Sequence, residues 1–132
     1  MPKANRKILL KSGREQIWEL VTSLENWAWR SDLRGLEIVE PGRRFVEIDK
    51  GGIRTGFTIT DFEPMRRYAL ELENENLRGR WEGRFAEGSD GVELTFTEEV
   101  KVKRAAMKPL AGIYLRVQQK RYFRDLKTAL GE

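Results

Sequence analysis

Any chemistry done by this chain is done without histidine or cysteine, neither of which occurs in its 132 residues. That removes the usual proton shuttle near neutral pH, the Ser–His and Cys–His nucleophile pairs, disulfides, and cysteine-based zinc or iron–sulfur sites. Acid–base work falls to Asp, Glu, Tyr, Lys or Arg, and no metal or cofactor site is expected. Glu98 is the residue best placed for it. It continues the series Val92, Leu94, Phe96 and precedes Val100, so a period of two points its carboxyl to the apolar side of a strand. A carboxyl held there takes a raised pKa and can act as acid, base or hydrogen-bond partner. A bulge or the strand's end would instead turn it to water, so no catalytic residue is assigned beyond this one candidate. Gln119 and Tyr122 pose the same choice: each sits among apolar residues at helical spacing, and its polar tip either orients a guest or snorkels to the surface.

The elements that would position these groups can be read along the chain. Arg6 to Lys11 suits a first strand. Ser12 with Glu15 three residues on is a capping-box pattern, and Ile17, Leu20, Val21 and Leu24 then share one helical face. The stretch from Leu24 to Leu33 has no clean period and carries Trp27 and Trp29, which suggests a short, bent second helix or turn ended by Gly35. From Leu36 to Val102, β-branched and aromatic residues are broken at Pro41-Gly42, Lys50-Gly51-Gly52, Glu63-Pro64, Glu73 to Asn76 and Gly88 to Gly91. Six strands joined as hairpins, with no helical crossover, require an antiparallel meander. Alternation gives it one apolar face, carrying Phe57, Ile59, Tyr68, Leu70, Leu72, Trp81, Phe85, Leu94 and Phe96, and one charged face. The apolar face needs a cover. The segment from about Ala105 to Leu130 supplies one as a long helix, with Ala111, Leu115, Gln119, Tyr122, Leu126 and Ala129 in one stripe. Leu110, Ile113, Tyr114 and Val117 lie on its other side, a face open to cover by a loop, by the early helices or by a second copy in a homodimer.

The expectation is thus one α+β domain over residues 1–132: a curved antiparallel sheet of about seven strands, two short N-terminal helices and one long C-terminal helix. This order resembles the helix-grip fold of the START-like, Bet v 1-like or SRPBCC superfamily, which includes polyketide cyclase and dehydrase-like proteins. The resemblance rests on Glu15 to Val21 with Leu24-Glu25-Asn26-Trp27, on Phe62 to Tyr68, and on Arg124 to Lys127. These are scaffold features. The resemblance implies a cavity between sheet and helix that receives a lipid, polyketide or similar molecule. Its wall would be Phe57, Ile59, Leu70, Leu72, Trp81, Phe85, Leu94 and Phe96, with Glu98 as a polar anchor and Leu115, Gln119 and Tyr122 on the lid helix. Trp27 and Trp29 would gate its mouth or plug the core.

Three functions are then open. The leading one is a binding module for a small hydrophobic molecule. The second is an aromatase or cyclase in which Glu98, Tyr122 or an arginine moves protons. The third is a protein or ribosome contact module like the RatA-type members of the superfamily. The formal net charge is +4, but acidic residues are interleaved with Arg54, Arg78, Arg80, Arg84 and the basic residues of the last helix, so no nucleic-acid partner is expected. The apolar run Ile8-Leu9-Leu10 after the basic N-terminus is too short for a signal sequence or a membrane span, which suggests a cytoplasmic protein with no membrane insertion.

Overall fold

The structure is a computed structural model and describes residues 2–132. In chain order its elements are β1 (Lys3–Leu10), α1 (Arg14–Thr22), β2 (Leu33–Glu40), β3 (Arg44–Asp49), β4 (Arg54–Glu63), β5 (Arg67–Glu73), β6 (Leu77–Gly88), β7 (Gly91–Val102), a 3-10 turn (Ala105–Met107) and α2 (Lys108–Leu130). The sheet order is β1-β7-β6-β5-β4-β3-β2, with every pair antiparallel. All five hairpins of the meander fall where the turn residues predict them. β1 and β2 are the first and last strands of the sheet, so the segment between them, α1 and residues 23–32, must cross from one edge to the other.

Two local expectations need correction. There is no second N-terminal helix: residues 23–32 form turns, with the Arg30 amide bonded to the Trp27 carbonyl. The reason is the missing apolar period, which leaves a helix there with no face to bury. Ser12 does not cap α1 either, because the N-cap is Gly13 and makes no side-chain bond. The Ser12 hydroxyl instead donates to the Glu132 carboxylate at 2.6 Å, and the amides of Lys11 and Ser12 donate to the same group. A carboxylate just past the end of α2 thereby fastens that helix to the β1–α1 junction.

α2 begins with a proline in its first turn and ends at Gly131 in the left-handed conformation, both normal helix punctuation. It packs against β1 and β7, at one side of the sheet. Its buried residues are Ala111, Leu115, Gln119, Phe123, Asp125 and Leu126. The sequence stripe therefore holds over its first half, then shifts: Ala129 is exposed and Phe123 is the core aromatic. One part of the core gathers Leu10, Ile17, Trp18, Phe85, Leu94, Phe96, Phe123 and Leu126. A second part gathers Ala4, Leu72, Leu77, Val100, Val102, Ala111 and Leu115.

Candidate functional site

Because α2 packs on β1 and β7, it leaves the apolar face toward β2 to β5 without close helical cover. Residues 20–36 bridge part of that gap, and a cavity of about 160 Å³ remains. Proteins of this size normally pack with few voids larger than a water molecule. The volume is close to that of the ~150 Å³ apolar cavity that admits one benzene ring. Two lining residues, Asn26 and Tyr114, are themselves exposed, so the cavity reaches solvent between residues 23–32 and α2.

Of the wall residues named from sequence, Phe57, Leu70, Leu72, Trp81, Phe96 and Glu98 do line the cavity, with Trp27, Trp29, Gln119 and Tyr122. Ile59, Phe85, Leu94 and Leu115 do not. They share the correct face, but Phe85 is covered by Trp18, edge-on at 5.0 Å, and Leu94 and Leu115 are enclosed by the core. Being on the inward face is thus not enough, since Trp18 of α1 covers Phe85 of β6 and α2 packs over β1 and part of β7. Trp29 packs edge-on against Tyr122 at 5.3 Å, which packs against Phe96 at 5.0 Å, which packs against Trp81 at 4.7 Å. These rings make a continuous aromatic wall. Gly83 allows it: a Cβ there would stand 2.9 Å from the Trp81 ring.

The sequence reading missed a buried ionic group. Arg30 donates through Nε and Nη2 to the two oxygens of Asp32 at 3.0 and 2.9 Å. Its Nη1 and Nη2 donate to Glu47 at 3.3 and 3.4 Å, and the guanidinium lies 4.7 Å over the Tyr122 ring. Burial works against the Arg30 charge, but Glu47 and the hydrogen bond to Asp32 outweigh it and hold the group above its ordinary range. Arg30 is carried by residues 23–32, which Asp125 of α2 holds in place: its Oδ2 accepts from the Ser31 amide at 2.8 Å and the Ser31 hydroxyl at 2.7 Å. Arg30 was obscured because its segment has no period, and Glu47 because Phe45, Val46 and Ile48 put apolar residues on both faces of β3. The one available signal was Arg30 two residues before Asp32, beside two tryptophans.

Glu98 does point inward, with no bulge in the β6–β7 register around it, and stands opposite Trp81. Burial pushes its carboxyl up to about 7, Glu47 adds to the rise, and Arg30 opposes it. Among the described residues, no fully enclosed side-chain nitrogen or oxygen lacks a hydrogen-bond partner. Glu98 is assigned no hydrogen bond or ion pair there, so its carboxyl oxygens open onto the cavity rather than being sealed in the core. Burial likewise raises the Tyr122 hydroxyl above its ordinary range, with Arg30 opposing, and raises that of Tyr68, with Glu47 adding. One N–H of the Gln119 amide donates to the Ala4 carbonyl at 3.1 Å, which ties that side chain to β1.

A seven-stranded antiparallel sheet with one long C-terminal helix agrees with the comparisons to known proteins. The family model described as polyketide cyclase/dehydrase and lipid transport matches residues 1–131. The chain belongs to that family. Among solved structures, a START superfamily protein from Mycobacterium smegmatis superposes with a TM-score of 0.88 at 11% identity, covering 98% of this chain and 97% of the other. A conserved protein from Geobacillus kaustophilus gives 0.83 at 15% identity, covering 98% and 95%. XoxI from Bacillus cereus gives 0.81 at 13% identity, covering 100% and 97%. At these identities the likeness shows the fold alone. No curated protein matches the sequence. On this scaffold the chain places the Arg30–Asp32–Glu47 group and the open carboxyl of Glu98 at the cavity.

No helix among the described residues is long and apolar enough to cross a membrane, and no group of three or more potential ligands among them could hold a metal ion. On the charged face, Arg54 pairs with Glu37, Arg80 with Glu99, Arg84 with Glu82, and Lys103 with Glu73. These basic side chains are therefore interleaved with acidic partners, as the sequence suggested.

Proposed function

We propose that this protein binds a small hydrophobic molecule in the cavity between α2, residues 20–36 and the strands β3 to β7. The observation that supports this most is an unfilled hollow of about 160 Å³ lined by Phe57, Leu70, Leu72, Trp81, Phe96 and Tyr122. Apolar walls with a few convergent polar groups are the usual make-up of a ligand site. The volume favours a guest about the size of one ring; a polyketide or a two-chain lipid would require residues 23–32 to move. The test is native mass spectrometry of freshly purified protein, followed by titration with single-ring compounds monitored by the fluorescence of the lining tryptophans. A mass equal to the bare chain together with no response to any such compound would remove the proposal.

A second reading is favoured by one observation, the open carboxyl of Glu98 at about 7. A group that holds and releases a proton near neutrality can serve an aldol-type closure or a dehydration as acid and base. Under this reading Glu98→Gln abolishes turnover and leaves affinity nearly unchanged, whereas in a pure binding module only affinity responds.

A homodimer through the outer face of α2 belongs to the same proposal. Leu110, Ile113, Tyr114 and Val117 are 65%, 53%, 49% and 50% exposed, and an exposed apolar patch of this kind is a candidate contact surface.

A further inference from the structure

We propose that the guest is a small hydrophobic amine, bound as its cation with the ammonium on Glu98 and its apolar part against the aromatic wall. This rests on the cavity-binding reading above and names the chemical class that the cavity would take.

The charges that line the cavity carry the inference. The lining holds four carboxylates, of Asp32, Glu47, Asp49 and Glu98, and a single cation, Arg30. The excess is local, because the chain as a whole carries 25 Lys and Arg against 21 Asp and Glu. Arg30 is already committed. Four of its N–H directions go to Asp32 and Glu47 and its face covers Tyr122, so a fatty acid or other carboxylate finds no free cation. Asp49 is partly engaged too, as its Oδ1 accepts from the Ile53 amide at 2.9 Å. Glu98 is different, with oxygens that open onto the cavity and no assigned protein partner. Like charges in a weakly screened interior repel one another, and a bound cation relieves that repulsion.

The neighbours of Glu98 complete the site. Trp81 stands directly opposite it on β6, Phe96 lies two residues away on the same face of β7 and packs on Trp81, and Tyr122 packs on Phe96 from α2. An ammonium that meets a carboxylate beside aromatic faces gains a charge-assisted hydrogen bond and cation–π attraction together. A neutral guest of the same shape gains neither, and an anionic one is repelled.

The experiment compares benzylamine, benzyl alcohol and benzoate, which share one ring and differ in charge. Each is titrated into the intact protein at pH 8 and followed by calorimetry, with Glu98→Gln as the second protein and its thermal unfolding as the check on folding. Benzylamine should bind about tenfold or more tighter than benzyl alcohol, and benzoate should not bind measurably. In Glu98→Gln the preference for amine over alcohol should fall to near parity while the alcohol's affinity holds. Alcohol or benzoate binding as tightly as the amine, or a preference that survives Glu98→Gln, would overturn the amine assignment and leave the cavity-binding proposal standing. Failure of all three compounds to bind would overturn both.

Discussion

At the scale of single residues, an interior carboxyl without a protein partner has a thermodynamic signature. Glu98 is raised from 4.5 to about 7 by burial first and Glu47 second, with Arg30 opposing; Asp32, Asp49, Tyr68, Tyr114 and Tyr122 are the other titratable groups lining the same cavity. Below pH 4.5 both the folded and the unfolded chain hold the proton, and Glu98 costs nothing. As the pH rises from 4.5 to 7 the unfolded chain releases its proton first, so folding is progressively penalised. Above 7 both forms are ionised and the penalty is constant, at up to about 3 kcal/mol. Glu98→Gln keeps the shape and removes the charge. Its stability should equal that of the parent at pH 4 and exceed it by an amount that grows to as much as ~3 kcal/mol at pH 8. Urea unfolding at pH 4, 6 and 8 measures the gap, and a gap that does not widen with pH would show that this carboxyl is hydrated like a surface one. Part of this was legible beforehand: a period of two along Val92, Leu94 and Phe96 placed Glu98 correctly. Its electrostatic neighbours were not legible, because Arg30 and Glu47 come from an aperiodic segment and from a strand with apolar residues on both faces.

At the scale of elements, the cavity exists because residues 23–32 are held over the sheet without being a helix. Their main tie to α2 is Asp125, buried and accepting two bonds from Ser31. Asp125→Ala removes the acceptor of both bonds at once and should cost about 2 kcal/mol in unfolding free energy, as expected for losing bonds to a charged group. Its more telling effect is local: amide exchange should speed up across residues 24–33 and hardly change in β5 to β7. Exchange that rises evenly over the whole chain would mean that Asp125 supports the core in general and not this segment. The sequence showed the strands well because turn residues mark every hairpin. It showed α2 less well, because Tyr122 and Phe123 are adjacent aromatics and helical counting from Leu115 admits either as the core residue. Phe123 takes the core, stacked on Phe96 at 4.5 Å, and Tyr122 is left for the cavity. Only the lateral position of the helix on the sheet, which no spacing encodes, decides between them.

At the scale of the whole molecule, packing and binding compete for the same volume. α2 lies over β1 and β7, and the hollow beside it on the same face of the sheet is what the chain forgoes in close packing. If that hollow is empty space in the free protein, filling it from within should stabilise the fold and exclude the guest together. Leu36 is suited to the test, since it is half-buried on edge strand β2, lines the cavity, and lies far across the sheet from the α2 contact. A phenylalanine there can project into the void without meeting the helix. Leu36→Phe should raise stability by about 0.5–2 kcal/mol, the range usual for cavity-filling changes, and weaken single-ring binding by tenfold or more. A hollow that closes in solution would instead be overpacked, and the same substitution would lower stability by about 1–3 kcal/mol. Thermal unfolding and ligand titration on this one variant therefore bear on the same premise from two sides. A gain in stability with a loss of binding is the only pairing consistent with a cavity kept open for a guest.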